Sequence, residues 1–292
     1  MNIIKHKYVF LTLSGILVLA SVVALSVFGL KQGIDFVGGT QWEIGVQGIS
    51  ASGVDYQTLQ EILPKDAVIT AEGYQSFIIR LPELSEADHQ KYLKLITEKD
   101  PVLVELSFES IGASIGSELR SKAIWAFLAV LIGISLYIAF AFRKVSRPVS
   151  SWKYGLITLL TLFHDAIIPA GLMAYLGWLS GADIGVNFIV AILVVMGFSV
   201  HDTIVVFDRI RENLRTSVSN ADFGELVNKS INQTFARSVN TSLTLVLVLV
   251  ILYFFGASSL GYFTLVMLVG TLVGTYSSIF VASPLLVLWQ RK

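Results

Sequence analysis

The chain has 292 residues, of which 54% are hydrophobic and 14% are charged, and it contains no cysteine. The charged share is well below the roughly 25% of an ordinary soluble domain, and the formal net charge is zero. This composition excludes a soluble globular protein, a disordered chain and a small secreted domain held by disulfides. It predicts a helical membrane protein with one water-facing insert.

Six apolar stretches are each close to the roughly 20 residues that a helix needs to cross the hydrocarbon core of a bilayer. They contain no lysine or arginine, and their only acidic residues are Asp165 and Asp202. The first is longer than the roughly 7–15 apolar residues of a signal peptide, so we expect a retained anchor. The stretches are Tyr8–Leu30, Ile124–Phe142, Gly155–Leu176, Phe188–Phe207, Val239–Phe255 and Tyr262–Val281.

The distribution of lysine and arginine predicts the orientation of these spans, because cytoplasmic connections carry the excess. Basic residues occur at both termini, in 143–153 and in 208–238, whereas the short loops Gly177–Asn187 and Gly256–Gly261 have none. Both termini are therefore expected in the cytoplasm. The fifth stretch is short and polar at its start, which leaves a re-entrant segment open, but an even number of crossings favours a true span.

The pattern divides the chain into an N-terminus with the first span (1–30), an extracytoplasmic domain (31–122) and the remaining spans (123–292) with a cytoplasmic loop at 208–238. In the outer domain, alternation and turn signals predict an α+β fold of the ferredoxin-like βαββαβ order, with both helices on one face. His89 is expected to be a solvated surface residue, and nothing in the domain indicates an enzyme. The predicted elements are strand 40–46, helix 54–63, strands 67–71 and 76–81 around a turn at 72–75, helix 85–98 and strand 102–108.

Charged groups at bilayer depth cost about 2.5–3.5 kcal/mol each on insertion scales and are therefore functional candidates. Asp202 lies just inside the cytoplasmic edge of the fourth span, and Arg237 enters the fifth span from the same side, with Thr241 one turn further. We expect the carboxylate and the guanidinium to meet. The pair is either a structural clip between two helices or a proton site whose carboxylate titrates when the arginine moves away.

A second acidic residue, Asp165, follows His164 in the third span, and His201 precedes Asp202 in the same way. The spacing of these pairs does not match a standard metal-ligand set, and His164 and Asp165 could simply hydrogen-bond within the bundle. An intramembrane aspartyl protease would need a carboxylate dyad that shares a proton, which the expected Arg237 partner disfavours. No nucleotide, zinc or dinucleotide motif is present, so no cofactor is predicted.

The last span contains Gly270 and Gly274 in a GxxxG spacing, followed by Ser277 and Ser278. Small residues at this spacing allow two helix backbones to approach closely. We therefore expect this helix to pack tightly on a neighbour.

Four motifs give the chain a resemblance to the SecF family of bacterial protein export, and the similarity extends over essentially the whole sequence. The first contains Gly33, Asp35, Gly38 and Gly39 after the first span, and the second is Phe163-His164-Asp165. The third runs from Asp202 to Asn213, and the fourth from Arg237 to Ser242. Each motif is modest evidence alone, whereas all four in a six-span plan are specific.

The resemblance implies a member of the RND superfamily that pairs with SecD in the bacterial cytoplasmic membrane. It implies use of the proton-motive force to draw an unfolded preprotein outward from the SecYEG translocon, with YajC and YidC as further possible partners. It also implies that Asp202 and Arg237 take part in proton passage. Family members commonly have asparagine where this chain has His201, which places one more titratable group beside Asp202.

Two other functions remain open alongside this one. A stand-alone RND-type small-molecule pump would ordinarily need larger outer domains than the single insert at 31–122. A purely structural partner of SecD would need no proton chemistry at all. The basic residues follow the membrane topology and form no nucleic-acid-binding face.

Overall fold

A computed structural model describes residues 1–46, 56–72, 76–143, 149–216 and 222–290. The chain forms two compact units, of which one comprises Met1–Lys31 with Trp125–Lys292 and the other comprises Gln32–Ile124. In chain order the helices and strands are α1 (Lys7–Phe28), α2 (Ile34–Val37), β1 (Gly39–Val46), α3 (Tyr56–Ile62), β2 (Val68–Glu72), β3 (Ser76–Leu81), α4 (Glu86–Lys99), β4 (Leu103–Ile111), α5 (Ala113–Ala141), α6 (Ser151–Ser180), α7 (Val186–Thr216), α8 (Phe223–Phe255), α9 (Gly261–Ser277) and α10 (Ser283–Leu288).

Six helices in the described part of the chain are long and apolar enough to cross a membrane, as the sequence predicts. The sixth is α9 continued by a π-helical segment, Ser278–Ala282, and α10. Buried residues make up 61%, 50% and 50% of the apolar windows of α6, α7 and the sixth span, but only 11–17% of those of α1, α5 and α8. The first three therefore form the centre of the bundle, and the others leave most of their surface exposed.

Small residues set the closest helix contacts in this bundle. A Cβ atom added to Gly270 would lie 2.6 Å from Val195 of α7, and one added to Gly274 would lie 2.8 Å from Ser199. The prediction of close packing at the GxxxG spacing is confirmed. On α6, a Cβ atom at Gly155 would lie 2.7 Å from the backbone oxygen of Ser135 on α5.

Residues 208–238, predicted as a cytoplasmic loop, are largely helical in the described ranges. Helix α7 continues to Thr216, and α8 begins at Phe223, where the Asp222 side chain accepts a hydrogen bond from the Gly224 backbone N–H. Because α8 then runs unbroken to Phe255, the fifth span is not a re-entrant hairpin. The parts of α7 and α8 within 208–238 carry apolar faces, which the polar composition of the segment conceals. Phe223, Val227 and Ile231 pack with Ile3 and Ile210 in one core cluster.

The second unit contains a four-stranded sheet in the order β2-β3-β1-β4, and every neighbouring pair of strands is antiparallel. Trp42 and Ile79 of the sheet share a buried core with Leu59 of α3 and Ile96 of α4. The observed strands agree with the predicted ones within a few residues, and Ser85 caps α4 by accepting from the Asp88 N–H. The N-terminal part of the predicted helix 54–63 and most of the predicted turn at 72–75 lie outside the described residues.

The prediction that His89 is a solvated surface residue is wrong. Its side chain is only 4% exposed, stacks on Phe108 with ring centroids 3.6 Å apart, and places Nε2 2.5 Å from Glu105 Oε2. The Trp42 indole N–H donates to the same carboxylate oxygen. The polar neighbours of His89 in the sequence predict an exposed side chain. They do not reveal that His89 lies on the side of α4 that packs against the sheet.

The glycine motif after the first span joins α2 to β1 within the second unit. Gly33 precedes the single turn that contains Asp35, and Gly38 and Gly39 follow it with φ values of +80° and +121°. Side chains rarely adopt these angles, and a Cβ atom at Gly38 would lie 2.6 Å from the Ala113 Cα atom. Two consecutive glycines allow β1 to begin immediately after the turn, close to the start of α5.

Candidate functional site

Asp165 lies at the centre of the bundle, with no exposed surface. Its Oδ2 atom accepts hydrogen bonds from the Ser199 hydroxyl at 2.5 Å and the Ser277 hydroxyl at 2.8 Å, so that α7 and α9 both hold it. Its Oδ1 atom lies 2.8 Å from Nδ1 of His164 on its own helix. The expected contact between His164 and Asp165 is confirmed, and two hydroxyls from other helices complete the site.

Asp202 is 3% exposed and has a much sparser environment. The Ser242 hydroxyl of α8 lies 3.5 Å from Oδ2, at the limit of a hydrogen bond. Ser242 also pairs with the Thr275 hydroxyl of α9 at 2.5 Å. Ser238, one turn before Ser242, is buried, and its hydroxyl has no hydrogen-bond partner in the described part of the chain. Asp202 therefore lies in a polar but weakly bonded region between α7 and α8.

Arg237 does not pair with Asp202 in this structure. Its side chain is exposed, as are those of Thr241 and His201, and the Thr241 hydroxyl donates to the Arg237 carbonyl of its own helix. In the described ranges, no ion pair within 4 Å joins the guanidinium to the carboxylate. The face of α8 that meets α7 carries Ser238 and Ser242 instead, because these positions are offset by one residue from 237 and 241.

The sixth span contacts both aspartate sites. Ser277 donates to Asp165, whereas Thr275 contacts Asp202 through Ser242. Between them, the Ser278 hydroxyl donates to the Ser199 carbonyl and pairs with the Thr203 hydroxyl at 2.8 Å. The π-helical segment begins at Ser278. Such segments are rare and frequently occur at functional sites.

Sequence reasoning did not assign a role to the hydroxyls that bind the two carboxylates. A signal was present, since Ser199 and Thr203 share one face of α7 at helical spacing, as do Ser238 and Ser242 on α8. Which carboxylate each face meets depends on helix rotation, which the sequence leaves open. No group of three or more histidine and acidic side chains able to hold a metal occurs in the described ranges.

Two family models match the chain. The model described as protein export membrane protein SecD/SecF, C-terminal, matches residues 91–292, and the SecD/SecF GG motif matches residues 23–48. The second match contains Gly38 and Gly39, which carry the positive φ angles.

Similar proteins cover the chain from end to end. A protein translocase subunit SecF of Thermobaculum terrenum is 39% identical over 100% of this chain and 94% of its own length. A subunit SecDF of Thermus thermophilus is 38% identical over 94% of this chain but only 37% of its own length. The crystal structure of SecDF from that genus matches with a TM-score of 0.83 at 35% identity, over 99% of this chain and 38% of that chain.

Proposed function

The chain belongs to the SecF family of protein export membrane proteins, and from that premise we propose that it works as a proton-driven subunit of the Sec protein translocase. Its partner would be a SecD protein, and its role would be to promote the late steps of preprotein export through SecYEG. The observation that carries this proposal is the weakly bonded Asp202 at membrane depth, beside a helix that bears Arg237, which makes no ion pair within 4 Å of Asp202 in the described ranges.

The bonding of Asp202 supports a proton-carrying role for it. In the described ranges one hydroxyl lies within hydrogen-bond distance of Asp202, at 3.5 Å, so few bonds have to break when a proton or a cation becomes its partner. Its burial disfavours the charged form unless a cation approaches, and Arg237 is the basic residue that enters the adjacent span. A carboxylate in this position can alternate between a protonated form and an ion pair.

The exposed position of Arg237 supports a partner at this face. An arginine and neighbouring polar groups such as His201 and Thr241 are costly against lipid, and such groups normally face other protein or a water-filled cavity. The SecDF chain of Thermus thermophilus is much longer than this one, and this chain covers 37% of it. We propose that a SecD partner covers the exposed face of α8 and that Arg237 reaches Asp202 in one state of the complex.

The energy that one proton releases in crossing the membrane is enough to bias the direction in which a preprotein moves. One elementary charge that crosses a potential of 100 mV releases about 2.3 kcal/mol. This biases a two-state element by a factor of roughly 50 but does not unfold a stable domain. Protonation of Asp202 would release Arg237 and shift the helices. Through the segments 33–40 and 108–116 this shift would change the angle of the outer domain, so that an already unfolded preprotein moves outward.

The remaining features of the proposal follow the family and the charge distribution. We place the chain in the bacterial cytoplasmic membrane with both termini in the cytoplasm and the sheet domain, of ferredoxin-like arrangement, outside. We propose YajC and YidC as further partners.

A related solved chain, described as SecDF in a super-membrane-facing form, matches with a TM-score of 0.68 over the same 99% of this chain. This score is lower than the 0.83 of the other SecDF structure, and the difference supports a family that adopts more than one form.

The experiment uses inverted membrane vesicles that contain this chain, its SecD partner and the SecYEG channel. A preprotein is driven halfway by the ATPase, ATP is removed, and completion of translocation is followed with and without a proton gradient. We expect the gradient to drive completion in the wild type and not in Asp202→Asn. The matched control is Asp222→Asn, which removes a carboxylate at the cap of α8, where asparagine is an equally good cap residue.

The outcomes separate the proposed function from its alternatives. Normal gradient-driven completion with Asp202→Asn would contradict the proton role. Loss of completion together with loss of SecD from the purified complex would support a structural partner instead. Proton-coupled efflux of small molecules without any effect on preprotein would support a stand-alone RND-type pump.

A further inference from the structure

His164 and Asp165 form an acid–base pair that the proposed proton step at Asp202 does not use. Both side chains are buried, with 6% and 0% of their surfaces exposed. In the described ranges no lysine or arginine lies within 4 Å of either one, so the only ion-pair contact is between the two residues themselves. An ionised Asp165 beside a neutral histidine would thus leave one negative charge uncompensated inside the bundle.

The hydrogen bonds of the pair leave one site free to accept a proton. When Asp165 is ionised, His164 Nδ1–H donates to Oδ1, and the other ring nitrogen, Nε2, then carries a lone pair. That Nε2 atom is buried and has no hydrogen-bond partner in the described part of the chain. Unpartnered buried polar atoms are uncommon and require an explanation.

We propose that the His164–Asp165 pair is a second proton-holding site of the bundle, in addition to Asp202. A proton carried by water is transferred to His164 Nε2, so that an N–H bond forms, the O–H bond of the hydronium breaks and neutral water remains. The product is an imidazolium beside a carboxylate, which is neutral as a pair. Transfer of the Nδ1 proton to Asp165 gives the equally neutral combination of imidazole and carboxylic acid.

The surroundings of the pair connect its charge to the rest of the bundle. On α7 the titratable groups nearest in sequence to Ser199 are His201 and Asp202, and the others lie beyond Phe207. On α9 they are Tyr262 and Tyr276, and the Tyr276 hydroxyl donates to the Phe10 carbonyl of α1. Helix α10 carries no titratable group, and those of α1 are at its first two residues. A like charge on Asp202 disfavours a charge on Asp165, so the two sites are expected to take up protons in a coupled manner.

The sixth span is placed to respond to the charge of the pair. The Ser277 hydroxyl can donate either to Asp165 or to the Gly274 carbonyl, and both acceptors lie within 3.0 Å. An ionised Asp165 attracts this hydroxyl more strongly than a protonated one does. Because the π-helical segment starts at the next residue, a change in this bond acts where the helix already departs from regular geometry.

This inference rests on the proposed proton-driven function, and the test distinguishes the two. The chain is purified with its SecD partner, reconstituted in liposomes and studied by infrared difference spectroscopy between acidic and alkaline buffers. We expect two absorption changes of buried groups, one abolished by Asp202→Asn and the other by Asp165→Asn. Asp222→Asn should abolish neither. His164→Gln should remove the imidazole bands. The carboxyl band of Asp165 should remain, but the pH at which it is half-converted should change.

Proton uptake by the same liposomes is the second readout. Asp165→Asn and His164→Gln should each slow uptake by about a hundredfold, which is the lower end of the range for loss of a proton-transfer group. If the His164 and Asp165 bands do not respond to pH, or if uptake is unchanged in both variants, the second site does not exist. If the bands respond while Asp202→Asn leaves uptake intact, the proposed function fails and the second site stands. If Asp165→Asn does not fold, the spectra of His164→Gln and of the wild type decide whether the pair binds protons.

Discussion

The two aspartates inside the membrane bundle have opposite bonding. Asp165 accepts three hydrogen bonds from side chains on three helices, whereas Asp202 has one hydroxyl at 3.5 Å among the residues that the structure describes. Both are almost completely buried. The comparison shows that burial alone does not define the environment of a carboxylate, because two equally buried aspartates differ in the number and length of their hydrogen bonds.

The helices that carry these residues differ in the same way. Asp165 lies on α6, which has the largest buried share of the six spans, while Asp202 faces α8, of which only 17% of the apolar window is buried. A helix with few internal contacts can move at lower cost than a central one. The weakly bonded carboxylate therefore faces the element that is better suited to move.

The largest expected difference between the two sites is in stability. Asp165→Ala leaves the Ser199 hydroxyl and His164 Nδ1 without their acceptor, and each buried unsatisfied group costs about 1–3 kcal/mol. Asp202→Ala removes one long contact and should cost at most about 1 kcal/mol. Thermal unfolding of the purified complex in detergent measures both variants. Equal losses would show that the hydrogen bonds seen around Asp165 do not hold the helices together.

Helix packing around Asp165 should tolerate added side-chain volume less well than packing elsewhere on α7 and α9. Gly274→Ala places a Cβ atom 2.8 Å from the Ser199 Cβ, so Ser199 has to shift away from Asp165, at a cost of about 1–3 kcal/mol. Gly197→Ala is the matched control, since a Cβ atom there meets nothing within 4 Å. The same unfolding measurement applies. Loss of stability in the control, or none in Gly274→Ala, would contradict this packing.

Removal of the hydroxyl beside Asp202 should change proton uptake more than stability. Ser242→Ala deletes the contact to Oδ2 and the bond to Thr275, and one exchanged hydrogen bond contributes about 1 kcal/mol. We expect a modest change in the pH at which uptake is half-maximal and nearly wild-type unfolding. Thr244→Val removes an exposed hydroxyl that donates to the Thr241 carbonyl of its own helix, and it should leave the pH profile of uptake unchanged.

The smallest expected effect on stability comes from a buried carboxylate in the sheet unit, Gln32–Ile124. Burial raises the pKa of Glu43 on β1 above its ordinary value, so folding favours the protonated form. The domain is then most stable below the unfolded-state pKa and loses this contribution as the pH rises through the folded-state pKa. Glu43→Gln should slow hydrogen exchange of the β1 amides slightly at neutral pH. No difference is expected in acid, and a larger effect in acid than at neutral pH would contradict the sign.

The sequence predicts the membrane spans and the sheet domain well because hydrophobic length and alternation are local properties. It also identifies both aspartates, since a charge within an apolar run is conspicuous. It does not predict that Arg237 is exposed or that His89 is buried, because these depend on how a helix is rotated against its neighbours. The sequence does not predict the role of the Ser199 and Ser277 hydroxyls for the same reason, because they bind Asp165 only once α7 and α9 have packed.

Proton uptake into liposomes that contain only this chain and its SecD partner tests the role of Asp202 most directly. A pH-sensitive dye inside the liposomes records uptake after a proton gradient and a membrane potential are imposed. Asp202→Asn should slow uptake by at least about tenfold relative to the wild type, while Asp222→Asn should not. Wild-type uptake by Asp202→Asn would show that the proton passes elsewhere.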